Sequence, residues 1–178
     1  VQTADHGKLD VRALVLLAIL LAAGFILNFT VGKAISAMSA GMISPEFIIS
    51  AFCLTILVIR PNVGQALVIG LISAAVIQLT TTSPFIDFAA EGISAVVMAL
   101  VVRAGMRGAA AKVTPLLGPF VTTLPSGVVF MLIKMAMVGA AAELAAAMLP
   151  VVFATAVFNA ILVQALYLPI KKALKIEE

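Results

Sequence analysis

The sequence is poor in charge: 11% of its 178 residues are Asp, Glu, Lys or Arg, against 63% hydrophobic. A soluble domain carries about a quarter charged residues, so water is excluded as the main solvent of this chain. Tryptophan is absent and tyrosine occurs once, which removes the commonest stacking surfaces for a large flat ring. Cys53 is the single cysteine; no internal disulfide can form, and its place in an apolar run marks it as packing. The one histidine, His6, stands near the amino terminus, leaving the apolar runs without the usual general base.

What the chain has instead is long, continuous apolar stretches. They do not alternate, so a transmembrane barrel is disfavoured, and a backbone in lipid must then pair with itself as helices. The expectation is an all-α integral membrane protein, residues 1–178 forming one six-helix transmembrane domain. The spans are predicted at about Val11–Thr30, Pro45–Ile59, Val63–Thr82, Phe88–Val102, Pro115–Val138 and Pro150–Leu168. A break or short half-helix is predicted in "VGKAISAMSAGMISPEF", where Gly, Ser, Ala and Pro45 collect. The second and fourth spans fall short of the roughly 20 residues that cross a bilayer. Five spans with a re-entrant second segment is the alternative, and a signal peptide is the alternative for the first.

Net charge is +3, but the basic residues sit at the ends of apolar runs, as topology signals do, and no nucleic-acid partner is expected. Six spans with cytoplasmic termini place Lys8, Arg12, Arg60, Arg103, Arg107, Lys112, Lys171, Lys172 and Lys175 inside, leaving Lys33 and Lys134 outside. That distribution obeys the positive-inside rule, and a multi-pass position in the cell membrane follows.

Several chemistries are struck out. "VGKA" has Leu27 where a phosphate-binding loop needs glycine and Ala34 where it needs Ser or Thr, so the chain cannot power transport alone. "PSGVVF" lacks the nucleophile-elbow pattern. No enzyme activity, cofactor or metal is expected.

The polar run "QLTTTSPFIDFAAEG" stands out in so apolar a chain. Asp87 and Glu91 are four apart, hence on one helical face, and ionisable groups in spans cost about 2.5–3.5 kcal/mol at mid-bilayer on insertion scales. Glu91 is expected to face a polar cavity; Asp87 taken alone reads as a solvated cap near the helix start. Lys134 snorkels, faces Glu91 as a cation across the cavity, or grips a ligand carboxylate. Asn159 is interhelical glue or a ligand contact, and Gln78 is a weaker case of the same kind. Phe85, Phe88 and Phe130 are candidates to line a pocket, and Tyr167 reads as an interface anchor. Small-residue rows at Ala18 and Ala22, and at Ala66, Gly70 and Ala74, allow close helix approach.

Together "GMISPEFIISAFCLTILVIRPNVGQALVIGLISA", "QLTTTSPFIDF", "SGVVF" and "LPVVFATAVFNAILV" resemble the substrate-binding S component of energy-coupling factor (ECF) transporters, closest to the tryptophan-transporter type. The resemblance implies a small-molecule substrate, an amino acid such as tryptophan or a water-soluble vitamin, taken from outside. It implies docking through Ala18 and Ala22 on a transmembrane coupling protein that carries two ABC ATPase subunits. The Pro45–Glu46 pair matches the outer loop of that family, which adds Glu46 to the binding residues. An amino acid would place its ammonium on Glu91 or Asp87 and its carboxylate on Lys134, with Asn159 orienting it and Phe side chains holding an apolar ring. A proton- or ion-coupled carrier using Glu91, or a membrane scaffold without a ligand, are the competing readings.

Overall fold

A computed structural model describes residues 9–81, 83–106, 108–139 and 141–174, and among these no strand occurs. His6, Lys8, Thr82, Arg107 and Lys175 lie outside the described residues. α1 (Val11–Leu27) continues through a π-helical turn, Asn28–Gly32, into α2 (Lys33–Met38) as one 28-residue rod. Then come α3 (Phe47–Ile59), α4 (Val63–Ile77), α5 (Ile86–Gly105), α6 (Thr114–Val138) and α7 (Ala141–Ala173), with a 3-10 turn at Gly108–Lys112. Among the described residues four helices are long and apolar enough to cross a membrane: Val11–Met38, α5, α6 and the stretch Glu143–Ala173 within α7. The chain is thus compatible with a multi-pass membrane protein.

α3 sits at the centre. All thirteen of its residues are buried, the pattern of a helix apolar on every side. At 1.5 Å per residue it is only about 20 Å long, but its neighbours α1, α4, α5, α6 and α7 all touch it. A short helix is tolerated where protein, not lipid, surrounds it. Its side chains Phe52, Ile56 and Leu57 are fully enclosed, and Cys53 is buried among them.

α1 buries one stripe, Ala13, Leu17, Leu21 and Gly24, against α3. Gly24 allows a close approach there: a Cβ would stand 3.0 Å from the Phe47 carbonyl oxygen. The opposite face, with Ala18 and Ala22, is exposed. The second small-residue row is internal, as expected. Ala66, Gly70 and Ala74 are buried, and a Cβ on Gly70 would come 2.5 Å from the Glu91 carbonyl oxygen and 2.7 Å from the Ala95 Cβ.

Within the stretch Val31–Phe47 the short helix α2 carries the rod on to Met38, Gly32 lying beside the Pro45 carbonyl and the Phe47 ring, and the break falls at residues 39–46. Three expectations are corrected. The last helix starts well before Pro150, since the alanine-rich "AAELAAAML" that precedes it favours helix strongly. Asp87 is no solvated cap: α5 begins at Ile86, and Asp87 is buried in its first turn. Tyr167 is no interface anchor; it is buried in the core cluster with Val163.

Candidate functional site

A cavity of about 380 Å³ opens at one end of the bundle. It lies where the segment before α3, the turn after α4, the start of α5, the second half of α6 and the first half of α7 converge. Arg60, Arg103, Lys112, Lys171 and Lys172 all lie at the opposite ends of their helices or in the turns beyond. The acidic wall comes from Glu46, Asp87 and Glu91. Hydroxyls are supplied by Thr80 and Thr81 after α4, Thr123 and Ser126 on α6, and Thr155 on α7. Ile49, Ile77, Phe130, Met148, Val151 and Val152 give the apolar lining.

Each carboxyl is held by a neighbour. Asn28, in the π-helical turn, donates through Nδ2 to Glu46 Oε2 at 3.1 Å and accepts the Phe47 backbone N–H through Oδ1 at 2.7 Å. One side chain therefore caps α3, whose own N-terminal residue contributes no side-chain cap, and orients the acid beside it. A π turn is a frequent device at functional sites. Gln78 works similarly in the next loop: Nε2 donates to Asp87 Oδ2 at 3.1 Å, and Oε1 accepts the Phe85 N–H at 2.9 Å. Ser126 donates its hydroxyl to Glu91 Oε1 at 2.8 Å. Glu91 Oε2 is buried and has no hydrogen-bond partner. Thr155 ties the loop before α3 to α7 by donating to the Ser44 carbonyl at 2.8 Å.

The acids act on one another as like charges. Glu46, half-buried and outside the helices, has its pKa pushed up to about 7, chiefly by burial; the Asn28 hydrogen bond opposes the shift and the charge of Asp87 adds to it. Among the described residues no three His, Cys, Asp or Glu side chains converge closely enough to hold a metal ion, and no lysine or arginine lines the cavity.

Of the residues singled out in the sequence, Glu46, Asp87, Glu91 and Phe130 line this cavity. Asn159 does not, but lies one layer beneath it. It is fully buried, accepts from Ser50 at 3.2 Å and donates to Thr123 at 3.2 Å, joining α3, α6 and α7. Lys134 is outside the lining, one turn further along α6, with Nζ 5.5 Å from the centroid of the Phe130 ring. Phe85 is set apart as well: it occupies a left-handed backbone conformation (φ 70°) before α5 and is 76% exposed. Phe88 is likewise not part of the wall. Asn28, Ser126 and Thr155 had no signal in the sequence, because a lone amide or hydroxyl in an apolar run is equally at home in packing.

No family model matches the chain, and no curated protein or solved structure matches it.

Proposed function

We propose that the chain is the substrate-binding membrane subunit of a multi-protein importer, of the S-component type, holding a small molecule in the acid-lined cavity. One observation carries the reading: segments distant in sequence converge on a single chamber of about 380 Å³, within the range of about 300–1,000 Å³ usual for small-molecule sites. The topology that goes with it has six spans, the four long helices plus the shorter α3 and α4, with both termini in the cytoplasm. Basic residues gather at the end away from the cavity, which by the positive-inside rule turns the cavity outward. The exposed face of α1 around Ala18 and Ala22 is the docking surface for a coupling protein, and two ABC ATPase subunits supply the energy.

The test is reconstitution. The purified chain binds its ligand alone, but proteoliposomes accumulate that ligand only when the coupling protein and ATPases are present with ATP. The buried, unpartnered Oε2 of Glu91 favours one second reading, a stand-alone carrier in which Glu91 takes and releases a proton. Uptake by the pure chain under a pH gradient alone selects that reading over the first.

A further inference from the structure

Resting on the binding-subunit reading, we infer that the ligand is an organic amine: its buried end is an ammonium cation, and it carries no carboxylate. The wall supplies three carboxyl groups, Glu46, Asp87 and Glu91, and no basic side chain. A buried carboxylate is costly unless a counter-charge and hydrogen-bond donors meet it. Here Asp87 is met by Gln78 and Thr81 and Glu46 by Asn28, but only one oxygen of Glu91 is served. Glu91 is 4% exposed, Ser126 occupies its Oε1, and Oε2 stands without a partner at the cavity wall.

Most of the donors that would recognise an anion are already engaged. The Asn28 amide is on Glu46, the Gln78 amide on Asp87, the Ser126 hydroxyl on Glu91 and the Thr155 hydroxyl on the Ser44 carbonyl. What remains is an excess of acceptors, which a multiply donating ammonium satisfies with charge-assisted hydrogen bonds. Among the described residues no three of these acids group closely enough to hold a metal ion, and the apolar side of the chamber suits an organic cation. Its body meets the apolar side of the chamber, where Phe130 offers an aromatic face.

A zwitterionic amino acid fits poorly. Its carboxylate would need Lys134, which lies one turn beyond the lining over Phe130, or Lys33. The latter is exposed in an adjoining hollow that also includes Asn28, Ser44 and Glu46, with Nζ 4.2 Å from the Phe29 ring centroid. Inside the chamber a carboxylate would sit among three acids with nothing to neutralise it.

The experiment measures equilibrium binding to the purified full chain with matched triads that differ only in charged groups. Suitable sets are tryptamine, tryptophan and indole-3-propionate; phenethylamine, phenylalanine and 3-phenylpropionate; and histamine, histidine and imidazole propionate. For the scaffold bound best, the amine is expected to bind at least tenfold more tightly than the amino acid, with no binding of the acid. Glu91→Gln is expected to weaken the amine at least tenfold, and Lys134→Met to leave it within twofold. The wild-type ranking needs no variant to fold. Any other ranking within a triad overturns the amine assignment while leaving the binding subunit standing. Failure of every probe to bind likewise overturns the amine assignment, and the binding-subunit reading then stands or falls on the reconstitution.

Discussion

Ser126 on α6 donates to one oxygen of Glu91 on α5 at 2.8 Å and leaves the other oxygen of the same carboxyl buried with no partner. The contact joins two packed helices at the wall of the cavity. It also makes the acid directional, with one oxygen fixed and the other available. Glu91→Gln keeps the shape and removes the charge. Ligand affinity should fall by about 1.5–3 kcal/mol, the scale of a hydrogen bond to a charged group. The ligand-free protein should melt no lower, because a carboxyl that burial penalises has been replaced by a neutral amide. Titration calorimetry and a melting curve on the same preparation check both halves.

Glu46 makes the cavity sensitive to pH. Its folded pKa, about 7, lies above the ordinary 4.5, so the folded state keeps the proton longer than the unfolded one. Its contribution to stability is therefore fully present below about pH 4.5 and is lost as pH rises through 7. The ligand-free protein should lose melting temperature over that window, and Glu46→Gln should flatten the loss. Affinity for a cationic ligand runs the other way, rising from pH 5.5 to 8 as the acid ionises. Parallel melting and binding series across that range measure both signs.

Much of the fold was legible in the sequence. Continuous apolar runs indicated helices, and the spacing of Asp87 and Glu91 put two acids on one face, where α5 does present both to the cavity. The row Ala66, Gly70 and Ala74 indicated close packing and now lies against α5. Helix ends were harder to read. Gly32 reads as a breaker because its place beside Pro45 and Phe47 is a tertiary fact, and Pro150 reads as a start even though the alanine-rich turns before it favour helix. Asn28 and Ser126 became visible only when distant segments met. Lys134 was paired with the acids on chemistry alone; the one-turn offset along α6 that separates them is geometry.

Gly70→Ala tests the α4–α5 contact. The added methyl group would meet backbone at Glu91 and the Ala95 side chain at distances no Cβ accommodates, so the helices must part. Overpacking of this kind costs about 1–3 kcal/mol, and it displaces Glu91. Both melting temperature and ligand affinity should fall; a variant with wild-type values of both would show that the contact is slack.

Asn159→Ala removes the link between Ser50 and Thr123 without touching the cavity lining. Leaving buried polar partners unsatisfied costs about 1–3 kcal/mol, read as stability in a reversible denaturation series. Affinity should change less than it does in Glu91→Gln, since Thr123 remains in the wall.

Ala18→Leu separates binding from transport. Ala18 is exposed on the face of α1 away from α3, so the larger side chain is tolerated by the fold. On the proposed importer reading, uptake by the reconstituted complex should be lost, with ligand affinity of the isolated chain unchanged. Equal loss of both would place this face against the chain's own helices.

Native mass spectrometry of the purified chain, released from detergent beside its Glu91→Gln variant, tests the binding chamber most directly. The wild-type spectrum should carry an adduct of one small organic cation per chain, and the variant should fly bare. Identical spectra from the two, both without adduct, would contradict the account.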